Sequence, residues 1–530
     1  MRTSRRMLGA LGALALAATA ASVAGAPAAQ AAGPDRLPVT ITNSSGRGEA
    51  VYVYVLGTNL STGRLGYVNA GGTFSNWPAG ANPPSPAPDV AINGPGNGGN
   101  VTIQVPRGLS GRIYFSLGSK LKFFLTPDGL VQPAPWASGD QNHDILFDWS
   151  EFTYNDAGLW LNSSQVDMFA VPHAVTVTDA SGTRRSGDLV ANGRDNVINQ
   201  ISAQSGWASS VVRRADGTVL RVLAPGKAAG AGLLSTTYLD PYIASAWSAY
   251  SGKTLTVVPF ADQPGTKYFG RTSGTVMRFT NSAGTQVASF NRPSSADVWG
   301  CDGALAAPND LVVGPIARTL CAALNRGTLG TIDTQPSTNS ADFYKSNPTN
   351  QYARIVHANQ ADGKAYAFAF DDVGNFESLV NAGSPTAAGL VIQPFTGGGT
   401  QPSGGKAIKN ANGLCLDNNA QSTANGNKIQ VWACNGTVAQ QWTAAAANTL
   451  RVQGKCLDVN AGGTVNGTLV QLWDCNGTGA QVWVAQSNGT YLNPQSGRCL
   501  DDPAGSTTQG TQVQIWDCNT SSAQRWTLQS

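Results

Sequence analysis

Cys415-Leu416-Asp417, then Gln430-Val431-Trp432, Cys434 and Gln440-Gln441-Trp442: this series returns twice more along the chain. The second copy reads Cys456-Leu457-Asp458, Gln471-Leu472-Trp473, Cys475, Gln481-Val482-Trp483. The third reads Cys499-Leu500-Asp501, Gln514-Ile515-Trp516, Cys518, Gln524-Arg525-Trp526. In every copy the two cysteines stand 19 residues apart, and successive copies begin about 40 residues apart, a period typical of repeat architectures. Equal internal spacing implies one local disulfide per copy, each closing a loop of about 20 residues and contributing roughly 3 kcal/mol. One copy is too small to bury a core alone, whereas three can close a threefold β barrel over residues 406–530. Trp442, Trp483 and Trp526 recur once per lobe and are expected at the hub as core.

The repeat resembles the ricin-type β-trefoil lectin, carbohydrate-binding module family 13. That resemblance implies that the Asp after Cys-Leu accepts sugar hydroxyls while the Trp before the second Cys stacks on the sugar face. The pairs are Asp417 with Trp432, Asp458 with Trp473, and Asp501 with Trp516. The chemistry is apt: a carboxylate accepts two hydroxyls, and an indole covers the apolar face of a pyranose. Galactose-binding members carry Asn before the final Gln, where this chain has Ala439, Ala480 and Ala523. One hydrogen-bond partner per lobe is thus missing, which argues against galactose specificity and leaves room for three weak sites acting by avidity.

Outward from the repeat, residues 396–405 (Thr-Gly-Gly-Gly-Thr-Gln-Pro-Ser-Gly-Gly) read as a flexible tether. The whole chain of 530 residues exceeds one compact core. Only 12% of residues are charged, while Gly numbers 62 and Pro 28, a composition of loop-rich β proteins. At the N-terminus Arg2, Arg5 and Arg6 precede an apolar run from Leu8 to Ala21 that is too short to span a bilayer. Ala29-Gln30-Ala31 fits a signal cleavage site, so residues 1–31 are expected to be an export leader and the protein to be secreted, extracellular. Ser4-Arg5-Arg6-Met7-Leu8 also resembles a twin-arginine signal, and both routes stay open. Removing those three arginines from the formal charge of +3 leaves a near-neutral mature chain. Neutrality argues against nucleic acid or an anionic membrane as partner and suits an uncharged polysaccharide. Eight cysteines in an exported chain read as disulfides, with Cys301 and Cys321 as the fourth pair. Three histidines and no CxxC or HExxH give no reason to expect a metal.

The larger domain, residues 32–395, alternates as strands over Leu37–Asn43, Ala50–Leu56, Val101–Val105 and Gly111–Phe115. Residues 79–100 are crowded with Pro, Gly and Asn and read as loop. Helical propensity surfaces around Leu239–Ser251 and Asp310–Asn325. Chemistry gathers in Phe147-Asp148-Trp149-Ser150-Glu151-Phe152-Thr153-Tyr154-Asn155-Asp156 and in Gln165-Val166-Asp167-Met168-Phe169-Ala170-Val171-Pro172. An extended Phe147–Thr153 puts Trp149, Glu151 and Thr153 on one face, and an extended Val166–Val171 paired with it could turn Asp167 toward Glu151. Two carboxyls facing one cleft are what glycosidic hydrolysis requires. From the residues alone, Asp148 and Asp156 are equal rivals. His143 and His173 are isolated and read as structural, and Trp207 and Trp299 could be core or groove.

These two stretches resemble glycoside hydrolase family 64, the laminaripentaose-producing β-1,3-glucanases, and the related thaumatin-like β-sandwich. The resemblance implies a mainly β fold: a thaumatin-like β-sandwich or barrel with an inserted mixed α/β subdomain, followed by the β-trefoil. It implies inversion by single displacement, with Glu151 as general acid and Asp167 as general base. It places Thr153, Asn155 and Trp160 along the sugar groove. Asp371 and Asp372, in Phe370-Asp371-Asp372-Val373-Gly374, are further candidates for sugar hydroxyl contacts, with a surface turn as the equal alternative. The expected partner is a β-1,3-glucan, taken by a monomer without a cofactor. A non-catalytic β-glucan binder and a glycosidase of other specificity are the alternatives.

Overall fold

The computed structural model describes residues 33–395 and 406–528 apart from 436, 446, 447 and 520. The expected leader and tether lie outside the described residues.

Period-two burial builds the first sheet. Arg36–Asn43 buries Leu37, Val39 and Ile41 on one side. It pairs antiparallel with Asn100–Pro106 and parallel with Ala387–Ile392; His173–Asp179 and Gly182–Ser186 complete five strands. The second sheet runs in the order Leu379–Ala382, Gly158–Ser163, Leu146–Asn155, Leu109–Leu117, Val51–Asn59, Leu65–Val68, Phe74–Asn76, with Ile92–Asn93 also on Val51–Asn59. The sheets share one core: Phe115 of the second meets His173 of the first edge-on, with ring centroids 4.9 Å apart. The proline-rich stretch is mostly loop, as its composition requires, with short pairings at Ser85–Pro86 and Ile92–Asn93.

Because Leu379–Ala382 and Ala387–Ile392 return to the two sheets, the mixed α/β region between Ser186 and Leu379 is an insertion rather than a following domain. It holds the helices Gly193–Ser202, Asp240–Ala249, Val313–Asn325 and Gln351–Ala358, and a sheet of Gln286–Asn291, Val276–Thr280, Tyr268–Ser273, Leu255–Val257 and Thr334–Gln335. Two of those helices fall where propensity points. Gly193–Ser202 escapes such a reading because its sequence is mostly polar, and only Val197, Ile198 and Ile201 supply a buried apolar face. Trp207 and Trp299 are both core, 6.4 Å apart in edge-to-face contact. Cys301 and Cys321 are bridged.

The trefoil repeats one solution three times. Disulfides join Cys415 to Cys434, Cys456 to Cys475, and Cys499 to Cys518. Trp442, Trp483 and Trp526 are buried, and their indole N–H groups donate to the carbonyls of Leu416, Leu457 and Leu500 at 2.8, 2.9 and 3.0 Å. Each hub tryptophan is thereby tied to the Cys-Leu-Asp strand of its own lobe. The double substitution Cys456→Ser with Cys475→Ser should cost about 3 kcal/mol of trefoil stability. Denaturant unfolding of the isolated trefoil region, followed by tryptophan fluorescence, would read this, and an unchanged midpoint would refute it.

Candidate active site

Leu146–Asn155 lies between Leu109–Leu117 and Gly158–Ser163, and its residues from Ser150 to Tyr154 have a paired neighbour on both sides. Glu151 stands opposite Arg112 on one flank and Asn162 on the other; Thr153 stands opposite Ser110 and Trp160. Opposed residues share a face, so Glu151, Arg112, Asn162, Thr153, Ser110 and Trp160 form two adjacent rows on one side of the sheet. Asn162 Oδ1 accepts the Glu151 N–H at 3.2 Å, and the Ser110 and Thr153 hydroxyls are 2.8 Å apart. The hairpin turns through Asp156-Ala157, where Asn155 Oδ1 accepts the Ala157 N–H at 2.9 Å. Gly158 follows at φ 125°, and a Cβ there would meet the Ala382 carbonyl oxygen at 2.1 Å. Asp156 is almost fully exposed on this turn beside Arg107.

The expected strand pairing is corrected. The partner of the Glu151 strand is Gly158–Ser163, not Val166–Val171. Only Met168–Phe169 of that segment is a strand, and it pairs with Val219–Leu223 of the insertion. The bend at Val166-Asp167 nevertheless brings the second acid back to the first. Arg112 Nη2 lies 2.9 Å from Glu151 Oε1 and 3.6 Å from Asp167 Oδ2. Both oxygens sit on one nitrogen, so they are at most 2.9 plus 3.6 Å, about 6.5 Å, apart. Arg112 Nε adds a bond to Glu151 Oε1 at 3.0 Å, and Lys227 Nζ stands 3.2 Å from Asp167 Oδ1. Glu151 Oε2 has no protein partner among the described residues. The two side chains keep 15% and 14% of their surface open, enough for a substrate to reach them.

Arg112 is held from beneath and beside. Its guanidinium covers the Trp149 ring at 4.6 Å, and Nη1 reaches Gln132 Oε1 at 3.1 Å. Burial opposes its charge, but Tyr114, Glu151 and Asp167 outweigh that and hold the guanidinium above its ordinary range. Lys227 rests over the Trp136 ring at 4.3 Å.

The rival acid Asp148 faces the other way. It is buried on the core side, where Oδ2 accepts the N–H groups of Ala170 and Val171 at 2.9 and 3.0 Å and Oδ1 accepts that of Trp149 at 3.0 Å. Burial pushes its carboxyl up to about 7 against the pull of those N–H groups and of Arg221. Asp148 therefore fixes the segment that follows Asp167. His173 is buried beside it, pushed down to about 4 by burial, with Nδ1 on the Val171 carbonyl at 2.8 Å.

Asp371 is the clearest departure from expectation. It is fully buried, with Oδ1 on Arg326 at 2.9 Å and Oδ2 on His357 at 2.8 Å and on the Ala367 N–H at 3.0 Å. Both oxygens are committed inside the fold, so it has no surface to offer a sugar. Asp372 keeps 30% of its side chain open, 3.9 Å from Arg318, and burial raises its carboxyl. Arg112, Lys227, Asn162 and Trp136 were not singled out in the sequence. A lone arginine inside an otherwise alternating strand was the one available signal. Among the described residues no group of three His, Cys, Asp or Glu side chains is placed to hold a metal.

In the trefoil the outer tryptophans are exposed, Trp432 at 39%, Trp473 at 37% and Trp516 at 41%. The paired aspartates are buried, each bonded through both oxygens to the two glutamines of its lobe: Asp417 to Gln430 and Gln440, Asp458 to Gln471 and Gln481, Asp501 to Gln514 and Gln524.

A sandwich bearing two carboxyls on one cation, joined to a lectin-like trefoil, defines a carbohydrate-active protein. The model of the β-1,3-glucanase family matches residues 35–392, and that of the ricin-type β-trefoil lectin domain matches residues 405–526. The chain belongs to the β-1,3-glucanase family, glycoside hydrolase family 64. It is 46% identical over 443 residues to a glucan endo-1,3-β-glucosidase of Arthrobacter sp. (strain YCWD3), covering 80% of each chain. The same figures hold for a glucan endo-1,3-β-glucosidase of Cellulosimicrobium cellulans. Among solved structures, a laminaripentaose-producing β-1,3-glucanase in complex with laminaritetraose is 52% identical, with a TM-score of 0.66 over 68% of this chain and 99% of that one.

The folded protein holds a proton at Asp148 that the unfolded chain releases near the ordinary value of 3.8. The contribution of Asp148 to stability should therefore fall as pH rises from about 4 to about 7 and then level off, while His173, pushed down to about 4, contributes in the opposite sense over the same range. Asp148→Asn should remove the falling contribution, so that the Tm of the variant rises relative to that of the parent between pH 4.5 and 7.5; a difference that stays constant with pH would refute the assignment. Asp148→Ala should cost roughly 1–3 kcal/mol for each N–H left without an acceptor.

Proposed function

We propose that this protein hydrolyses internal β-1,3 linkages of glucans such as laminarin and curdlan to short oligosaccharides, by single displacement with inversion. Glu151 protonates the glycosidic oxygen as the C–O bond breaks, and Asp167 takes a proton from the water that attacks the anomeric carbon. The observation that carries this reading is the convergence of the two carboxyls on Arg112, at a separation of about 6.5 Å or less. That bound joins only Glu151 Oε1 and Asp167 Oδ2, the oxygens that share Arg112 Nη2, and supports one shared cleft; inversion, for which roughly 6.5–9.5 Å between the carboxyls is expected, rests on the family and is tested by the released anomer. The bare Oε2 of Glu151 is the oxygen free to meet the leaving group. Thr153, Trp160 and Asn162 extend the same sheet face as groove contacts, and Asp372 borders the insertion side. Asn155 has its amide oxygen in the turn, which leaves only its NH₂ for a sugar.

The protein acts outside the cell as a monomer, and the trefoil holds it on insoluble glucan. The three exposed tryptophans give each lobe an aromatic platform, and three modest sites on one body multiply their retention.

Glu151→Gln and Asp167→Asn should each lower oligosaccharide release from laminarin by 10²-fold or more, the low end of what a positioned acid or base contributes. Circular dichroism should be unchanged; near-normal turnover in either variant would remove that residue from the mechanism. Following the released sugar by NMR should show the α anomer first, and a β product would exclude inversion. A chain ending at residue 400 should hydrolyse soluble laminarin as the full chain does but fail to sediment with curdlan. Equal sedimentation would assign the trefoil some other ligand.

A further inference from the structure

The two acids do different jobs, yet Arg112 does not favour Asp167 over Glu151. It touches both, and its closer contacts are with Glu151. Lys227 touches only Asp167. Its place is built by the backbone: Met168 and Phe169 pair with Leu223 and Val222, the Ala224 N–H donates to the Asp167 carbonyl at 3.0 Å, and the helix Pro225–Gly230 then carries Lys227 over the carboxylate. With Oδ1 toward Lys227 and Oδ2 toward Arg112, Asp167 meets a cation at each oxygen, whereas Glu151 meets one cation at one oxygen.

We propose that Lys227 is the positioning residue that assigns the base role to Asp167, reserving the negative charge for it and leaving the proton to Glu151. The inference rests on the hydrolytic reading above. An opposite charge in contact favours the ionised form of a carboxyl, and a pair of acids divides its labour when the environment treats the two unequally. The groups facing Asp167 are Arg112 and Tyr114 from one strand, Glu151 from the next, Lys227 from its helix and Tyr352 from Gln351–Ala358. Tyr114 and Tyr352 are held neutral chiefly by burial, so Lys227 is the charge that separates the two acids. Lys227 itself is faced by the Trp136 ring and, more distantly, by Asp302.

The test is the pH profile of kcat/KM on laminarin for Lys227→Met and Lys227→Arg, with circular dichroism as the check on folding. Lys227→Met should move the acidic limb to higher pH by about one unit or more, with KM little changed. Lys227→Arg should keep the limb near its original place even where the rate drops. The limbs belong to the coupled pair, so their displacement, not an individual titration, is the readout. A uniform fall at every pH with the limb unmoved would reduce Lys227 to a packing residue and overturn the proposal. Should Lys227→Met fail to fold, Lys227→Gln is read the same way. Glu151→Gln and Asp167→Asn run in parallel: if both stay active, the hydrolytic reading itself fails. If both are inactive while the Lys227→Met limb stands still, only the role of Lys227 falls.

Discussion

One guanidinium between two carboxyls is the constraint around which the sandwich domain is arranged. A partly buried charge such as that of Arg112 is costly unless partners surround it, and here the partners are the two acids, a glutamine, a tyrosine and the face of Trp149. The planar fork lets Nε and Nη2 meet Glu151 while Nη1 reaches Gln132 and Tyr114. A lysine has no such geometry. The acids are thereby kept close together without being allowed to collapse onto one another.

The strand carrying Glu151 works on both faces, and this is how a bend rather than a strand can place the second acid. Its outer face presents Glu151 and Thr153. Its inner face presents Asp148, which captures the N–H groups of Ala170 and Val171 just beyond Asp167. Arg221 braces the entry to the same strand through the carbonyls of His143 and Ile145. Position 167 is thus determined by hydrogen bonds to its neighbours in sequence and by the pairing of Met168–Phe169 with the insertion. The insertion, in turn, supplies Lys227. A sandwich without it would have the first acid in place and the second held only through Asp148 and Arg112.

Much of this was legible in the chain. Alternation marked the strands that carry Arg36–Asn43, Val51–Asn59 and Leu109–Leu117, because one buried face imposes a period of two. The triplicate Cys-Leu-Asp and Gln-x-Trp motifs marked the trefoil and its bridges. What stayed hidden depends on contacts distant in sequence. Lys227 lies in a short helix with no local sign of its partner 60 residues earlier. Asp371 and Asp372 look alike in sequence. One is sealed by Arg326 and His357 while the other opens beside Arg318, a difference made entirely by tertiary packing. The opposite fates of Asp148 and Glu151, by contrast, follow from the parity of their positions on one strand, which the period of two already displays.

The trefoil adds a second lesson about repeats: identical motifs do not make identical lobes. Asp474 is held by Asn425 at 2.7 Å and by Lys455 at 2.5 Å, and Asp517 is held in the same way by Asn466 and Arg498. These clamps join neighbouring lobes beside Trp473 and Trp516. The corresponding positions around Trp432 are Ala433, Leu414 and Gln509, and among the described residues these are bridged by a long contact from the Ala433 N–H to Gln509 at 3.4 Å. The hub keeps threefold symmetry because each lobe must bury the same tryptophan against the same carbonyl. The rim is under no such demand, since an exposed ion pair contributes little to stability. Variation among the lobes therefore accumulates at the rim, beside the aromatic platforms, where a change can alter what is bound without disturbing how the barrel closes.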